Sequence, residues 1–468
     1  MTLIKSISGI RGTIGGKPGD GLSPMDIVKY TSAFASFILT ESGKKKPLIV
    51  VGRDARLSGD MVNRLVTGTL NAMGADSVDI GLSTTPTVEM AVTELKADGG
   101  IIITASHNPK HWNALKLLCS SGEFLNNEQA TELLRIAENN VPLYAEIIGI
   151  GHNTMNDAMI DMHIRKVVDL PLVDVDAIKK ANFSVAIDCV NSTGGIVLPR
   201  LLKALGVTKV TELYCEPDGR FPHNPEPLPE NLQELSATVT KNNNDVGFVV
   251  DPDVDRLAIV CEDGEMFGEE YTLVAVADYV LKNKAGNTVS NLSSTSALRD
   301  LTIKHGGTYT PSAVGEVNVV DMMKKTNAVI GGEGNGGVIF PELHYGRDAL
   351  VGIALFLSHL ARFGKSCSTL RATYPNYFMS KNKIEVSKDT DTALILDKLR
   401  EKYKSMPHSL IDGVRIDVSP TEWVHLRRSN TESIIRIYSE SDSTSKAEHL
   451  ARKFVQDIRE ILKINTED

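Results

Sequence analysis

Short apolar runs alternate along the chain with longer stretches in which apolar residues recur at helical spacing. Leu48 to Val51 predicts a buried strand, followed by a polar loop, a helix with spaced Leu, Val and Met, then Gly74 and another strand. Residues 183 to 214 repeat the order, with a strand at Val185 to Ile187, a loop from Asp188 to Gly195, a helix through Leu201 and Leu205, and Gly206 before Val207. Residues 288 to 310 repeat it more faintly, Gly306 and Gly307 closing the helix. Strand and helix alternating at this length predict parallel strands joined by crossover helices, hence three α/β domains of related build. After about residue 372 the pattern changes. A strand at Lys381 to Val386, a helix at Asp389 to Tyr403, strands near Val414 to Val418, Trp423 to Arg427 and Ile434 to Tyr438, and an amphipathic helix from Lys446 to Leu462 predict a separate α+β module. The expected domains are 1–154, 155–256, 257–372 and 373–468.

Composition narrows the reading. A chain of 468 residues with 42% hydrophobic and 23% charged side chains belongs with folded globular proteins, at roughly 150 residues per domain. The balance of 59 acidic against 50 basic residues, net −9, argues against a broad grip on nucleic acid but leaves room for a small phosphorylated ligand on a few local arginines. Five scattered cysteines (Cys119, Cys189, Cys215, Cys261, Cys367) form no C-x-x-C pair, so reduced thiols are expected. No secretory signal and no membrane-length apolar run is read, so the expectation is a cytoplasmic protein without a membrane partner.

Four segments carry candidate chemistry. Ile101 to Ile103 leads into Thr104-Ala105-Ser106-His107-Asn108-Pro109, which puts Ser106 near the C-terminal end of a parallel strand, where α/β folds expose reactive groups. His107, Asn108 and Lys116 are at hand as donors or proton carriers, although a plain Ser/Asn/Pro turn uses the same residues. Phe248-Val249-Val250-Asp251-Pro252-Asp253-Val254-Asp255-Arg256 places carboxylates at alternate positions after an apolar strand. Extended backbone would project all three to one side, where their repulsion calls for a cation; an oxygen-only set suits Mg²⁺ beside phosphate. Gly332-Glu333-Gly334-Asn335-Gly336-Gly337 satisfies G-x-G-x-x-G, but Val338-Ile339-Phe340-Pro341 continues as strand where a dinucleotide loop opens a helix. One carboxylate and one amide in a glycine-rich loop suit sugar hydroxyls, and a tight turn is the other reading. Arg427-Arg428-Ser429-Asn430-Thr431-Glu432, with Arg436 beyond, joins guanidinium, hydroxyl and backbone N–H donors as in a phosphate site, or is a hairpin turn with incidental arginines. Arg11 and Arg53-Asp54-Ala55-Arg56 add arginines near glycine.

In order and spacing these segments resemble the α-D-phosphohexomutases over essentially the whole chain. The serine segment is similar to that family's T-A-S-H-N-P phosphoserine loop, the aspartates to its D-x-D-x-D-R metal loop, Gly332 to Gly337 to its G-E-x-S sugar loop, and Arg427 to Thr431 to its R-x-S-N-T phosphate loop. Asn335 replaces the usual serine and Gly337 a frequent histidine; Trp112-Asn113-Ala114-Leu115-Lys116 replaces Y-N-G-x-K, and Ser433 a usual proline. These variants resemble phosphoglucosamine mutases of the archaeal type. The resemblance implies three related α/β domains with mixed sheets and a C-terminal α+β domain like the TATA-box-binding protein, around a central cleft. It also implies a phosphate carried on Ser106 and passed to a hexose phosphate through a bound hexose 1,6-bisphosphate. Mg²⁺ would sit on Ser106, Asp251, Asp253 and Asp255. Lys116 would act as general acid/base supported by Arg11 and His107, and Arg256, Glu333, Asn335, Arg427, Ser429, Asn430, Thr431 and Arg436 would bind substrate. A hexose phosphate is the expected partner and the chain a monomer or homodimer.

The expected reaction is interconversion of glucosamine 6-phosphate and glucosamine 1-phosphate, feeding UDP-N-acetylglucosamine synthesis. A phosphomannomutase/phosphoglucomutase is the alternative. More remote are a haloacid-dehalogenase-like phosphatase, whose h-h-D-x-D-x-V start Val249 to Val254 resembles, and a non-catalytic phosphosugar-binding protein. The phosphatase reading leaves the serine and arginine loops unexplained.

Overall fold

The computed structural model describes residues 2–6, 9–139, 141–387, 390–429 and 434–467, with side chains to 462. It divides into two compact units, the first made of residues 1–280 and 335–370, the second of 281–334 and 371–468.

In the first unit the N-terminal sheet runs Ile4–Ser6, Gly9–Thr13, Trp112–Cys119, Gly99–Ile103, Leu48–Arg53, Asp76–Leu82, Asn153–Met155. Its centre is parallel as the pattern predicts, but Trp112–Cys119 turns back antiparallel along Gly99–Ile103, so Lys116 lies opposite Ile102. Helices Pro24–Ser42, Gly59–Ala72 and Asn127–Asn139 bury one face through Ile27, Phe34, Val62, Leu70 and Leu133. Helix Thr85–Glu94 covers the other through Val88 and Val92. Strand residues Ile101 and Ile102 therefore alternate between the two cores, as a doubly covered sheet requires. A second sheet, ordered Leu257–Cys261, Val246–Val250, Ser184–Asp188, Lys209–Leu213, is parallel except for its first pair. All five residues of Val246–Val250 are buried, which delivers the following aspartates into the interior of the unit.

The second unit holds parallel strands Tyr309–Ser312, Asn287–Asn291 and Ala328–Glu333. It also holds a five-stranded antiparallel sheet ordered Phe378–Glu385, Ile434–Ser441, Glu422–Arg428, Val414–Ser419, His408–Ser409. Helices Thr392–Lys402 and Thr444–Glu467 pack Leu399 and Phe454 onto the apolar face of that sheet, against Val424, Leu426, Ile435 and Ile437. Mixed α/β sheets followed by an antiparallel α+β module are the expected fold class. The five cysteines are free, and among the described residues no helix is long and apolar enough to cross a membrane.

Candidate active site

The aspartates do not sit on extended backbone. The strand ends at Val250 and the chain turns at once, Val254 N–H donating to the Asp251 carbonyl at 3.0 Å and Val254 standing at φ 63°. A β-branched residue in the left-handed region is strained. This turn, rather than a two-residue period, gathers the three carboxylates within 4.8 Å of one another, all fully buried. Ser106, at φ 49° three residues beyond its strand, closes the cluster: its Oγ donates to Asp251 Oδ2 at 2.8 Å and lies 3.3 Å from His107 Nδ1.

Each carboxylate is held differently. Asp251 Oδ1 accepts from the backbone N–H of Asp255 and Arg256, both at 3.1 Å. Asp253 lies against the N-terminus of helix Thr85–Glu94, its carbonyl accepting from Thr85 N–H at 2.9 Å and Oδ2 from Thr85 Oγ1 at 2.6 Å. Lys116 Nζ donates to Asp253 Oδ2 at 2.7 Å and to Asp255 Oδ2 at 3.3 Å, and Arg347 Nη2 reaches Asp255 Oδ2 at 2.6 Å. Two cationic side chains are thus hydrogen-bonded to the triplet, Arg347 being one that no local motif announces. Burial works against the Lys116 ammonium, but Asp253 and Asp255 outweigh it and hold its pKa above the ordinary value. Burial also opposes the charge on Asp255, yet Arg347, Lys116 and Arg256 keep that carboxyl below its usual range. Asp251 goes the other way, pushed well up by burial and then by Asp255 and Asp253. One carboxylate of the three is therefore short of positive charge. Asp253 Oδ1 and Asp255 Oδ1 are buried without a hydrogen-bond partner, and two such oxygens beside a serine hydroxyl form a donor set that fits a hard divalent ion.

Two arginines, Arg11 and Arg256, stand around this cluster. Buried Arg11 Nε and Arg256 Nε have no hydrogen-bond partner, while Arg11 Nη1 reaches Asn108 Oδ1 at 3.5 Å. Burial, followed by Arg256, pushes His107 well below its ordinary pKa against the pull of Asp255. The serine loop itself is fastened by Arg56, whose side chain is fully buried. Its Nη2 donates to the carbonyls of Ser106 and Asn108 at 2.5 and 2.6 Å, its Nη1 to those of Pro109 and Trp112 at 2.8 and 2.9 Å, and its Nε to Asp54 at 3.0 Å. The sequence signals Arg56 only as an arginine near glycine; its grip on a loop some fifty residues away becomes visible in three dimensions.

The remaining candidates fall into two groups. Asn335, in the first unit, accepts through Oδ1 from Gly337 N–H at 3.2 Å. Neighbouring Gly336 has φ +83°, and a Cβ there would stand 2.4 Å from the Leu257 carbonyl oxygen, so the turn requires glycine. Glu333 belongs to the second unit, where Oε1 accepts from Asn291 Nδ2 at 2.8 Å and Gly315 N–H at 3.1 Å. In the antiparallel sheet Arg427 lies directly opposite Arg436, and Arg436 opposite Lys383, so three cations form one cross-strand row on the face away from the core. Like charges in register destabilise a sheet unless an anion relieves them. Arg427 Nε rests on Asp412 Oδ2 at 3.1 Å, and Ser429 N–H closes the hairpin on the Ile434 carbonyl at 3.0 Å. Asn430 and Thr431 lie outside the described residues.

Comparison with known proteins gives the family. Four domain families match in succession: phosphoglucomutase/phosphomannomutase α/β/α domains I, II and III over residues 3–142, 161–264 and 268–377, and the C-terminal domain over 388–457. A phosphoglucomutase/phosphomannomutase of Thermococcus kodakarensis is 35% identical over 97% of this chain and 99% of its own. A probable phosphoglucosamine mutase of Methanopyrus kandleri is 32% identical over 97% of both chains. The crystal structure of a phosphoglucomutase/phosphomannomutase family protein from Burkholderia thailandensis superposes with a TM-score of 0.83 at 27% identity, covering 97% of this chain and 98% of that one. A serine set against three buried aspartates in one unit and a row of cations in the other are thus carried by a chain that belongs to the phosphoglucomutase/phosphomannomutase family, and so is a phosphohexomutase.

Proposed function

We propose that the chain interconverts glucosamine 6-phosphate and glucosamine 1-phosphate, with Ser106 carrying the phosphoryl group between turnovers. The observation that supports Ser106 most directly is its hydroxyl at 2.8 Å from Asp251, in a buried site with unpartnered guanidinium N–H groups on Arg11 and Arg256. Phosphoryl transfer asks a protein for in-line positioning and charge neutralisation more than for covalent chemistry. Ser106 Oγ, Asp251, Asp253 and Asp255 would hold Mg²⁺, which when bound neutralises charge on the phosphoryl oxygens. Arg56 fixes the serine loop, Arg11 and Arg256 offer N–H donors to the phosphoryl group, and Lys116 would act as general acid/base, its ammonium giving a proton to the departing Ser106 Oγ and taking up the one the attacking sugar hydroxyl loses. Arg427, Arg436, Ser429, Asn430 and Thr431 would hold the phosphate that is not reacting. The sugar would lie on Glu333 and Asn335, with the hexose 1,6-bisphosphate turning between two half-reactions.

The choice of glucosamine rests on the Gly332 to Gly337 and Trp112 to Lys116 variants and on the Methanopyrus relative's name. The Thermococcus relative's name favours the second reading, a phosphomannomutase/phosphoglucomutase. A coupled mutase assay on glucosamine, N-acetylglucosamine, glucose and mannose phosphates, with bisphosphate activator, separates them. The amino sugar should give the highest kcat/KM, with side activity on the others, and Asn335→Ser should move the ratio toward glucose 1-phosphate. A higher kcat/KM for mannose or glucose phosphate overturns the assignment. Peptide mapping should find the phosphate on Ser106; a hydroxylamine-labile adduct on Asp251 would revive the phosphatase reading.

A further inference from the structure

A second cluster of metal-ligating side chains lies in the first unit, outside the aspartate loop. His163 comes from helix Met159–Val168, Asp348 caps helix Ala349–Phe363, and His344 lies in the segment leading to that cap. Both imidazoles meet one carboxylate oxygen: His163 Nε2 stands 2.8 Å and His344 Nε2 3.2 Å from Asp348 Oδ2. One ligand atom from each residue falls within 4.8 Å of the others. His163 and Asp348 are fully buried, while His344 keeps 13% of its side chain exposed.

The outer atoms of Asp348 and His163 are fixed as well, and that of His344 faces a carboxylate at ion-pair distance. Asp348 Oδ1 accepts from the N–H of Leu350 at 2.7 Å and Val351 at 3.4 Å, which leaves Oδ2 as its inward atom. His163 Nδ1 lies 2.9 Å from Thr87 Oγ1, itself 2.7 Å from Thr84 Oγ1, and His344 Nδ1 lies 3.4 Å from Glu89 Oε2. Imidazoles whose second nitrogen is engaged by a hydroxyl or carboxylate are the usual arrangement around a histidine-bound metal, because the outer partner fixes ring orientation and tautomer.

We propose that His163, His344 and Asp348 form a binding site for a borderline divalent transition cation of the Zn²⁺ class. Two nitrogens and one oxygen favour such an ion over Mg²⁺, whose preference is for oxygen. On binding, each neutral imidazole carries its single N–H on Nδ1, His163 toward Thr87 and His344 toward Glu89, and presents the Nε2 lone pair to the ion. Ligand atoms ~2.0–2.1 Å from a tetrahedral ion stand roughly 3.3–3.5 Å apart. Loading therefore opens the present 2.8 and 3.2 Å contacts slightly. Water completes the shell on the exposed His344 side. The site fastens two elements that also hold the aspartates: Arg347, next to Asp348, donates to Asp255, and Thr85, two residues before Thr87, holds Asp253.

The test uses the full-length protein, stripped of transition metals and kept in excess Mg²⁺ so that any oxygen site is filled, with Co²⁺ as the probe. One equivalent of Co²⁺ should bind with the visible absorption of a low-coordinate nitrogen and oxygen site, and Zn²⁺ should displace it and raise the melting temperature. His344→Gln, at the partly exposed position, should weaken uptake at least about tenfold and abolish the Zn²⁺-dependent rise, whereas Asp253→Asn should retain both. Absence of stoichiometric Co²⁺ uptake, or uptake that survives His344→Gln and disappears in Asp253→Asn, overturns the proposal. The readout is bound metal, so it stands apart from whichever hexose phosphate the enzyme prefers.

Discussion

The two units present charge in opposite ways. In the first, three carboxylates are buried at the exit of an apolar strand, and the surrounding fold supplies Lys116, Arg347 and a helix N-terminus to hold them. In the second, Lys383, Arg436 and Arg427 line the face of an antiparallel sheet opposite its helix-covered core, set in a row by strand register alone. A buried cluster fixes geometry, because moving any member leaves a charge unpaired in a low dielectric. A row of cations away from the reacting atoms would set affinity, because each one removed loses a charge-assisted hydrogen bond to an anionic ligand and leaves the chemistry in place. The first unit should thus govern turnover and the second binding.

Ser106→Ala is the strongest test of that division. It should lower kcat by at least about a thousandfold while leaving the melting curve in place, as a steady-state assay and calorimetry would register. Near-normal kcat would break the comparison at its root. Next in size, Asp253→Asn should reduce kcat by roughly a hundredfold and raise the Mg²⁺ concentration for half-activation; full activity in excess chelator would remove the aspartates from the reaction. Arg427→Ala should act instead on binding, weakening a hexose phosphate by roughly 1.5 to 3 kcal/mol and leaving an unphosphorylated sugar analogue untouched in calorimetric titration. A fall in kcat at unchanged KM would make the second unit part of the chemistry.

The smallest effect concerns acid. Burial pushes His425 in the second unit down to about 4, with Arg427 and Arg415 adding to it against the Asp412 carbonyl and charge. Below pH 6.5 the unfolded chain takes up a proton that the folded chain refuses until about pH 4, so stability falls as pH drops through that window. The loss should reach about 2 kcal/mol between pH 7 and 5, followed in urea by the fluorescence of buried Trp423. His425→Gln should flatten the slope; an unchanged slope would place the sensitivity elsewhere.

Continuous signals were legible in the sequence. Buried strands such as Val246–Val250 are apolar throughout, and Ser106, Asp251, Asp253 and Asp255 each follow one closely, so position and chemistry coincide within a few residues. The conformation of the aspartate loop was not legible, because alternation suggests extended backbone whereas Val254 adopts a left-handed turn that propensity disfavours. Arg347 and Lys383 carry no local mark either, and Arg56 is marked only as an arginine near glycine. Their partners lie across the sheet or far along the chain, and an arginine's reach is set by tertiary packing.

On the proposed role of Arg427 as a phosphate anchor, its ion pair with Asp412 bears on which anions can be selected. Asp412 Oδ2 also accepts from Val314 N–H at 3.1 Å, so the carboxylate is anchored and stands beside the guanidinium at high effective concentration. An incoming group must displace it, and a ligand carboxylate, being no better a partner than the aspartate it replaces, gains little by the exchange. A phosphate dianion brings more charge and a third oxygen, enough to engage neighbouring donors at the same moment. Sugar acids of similar size would therefore be turned away by competition from within the protein, with no steric barrier required.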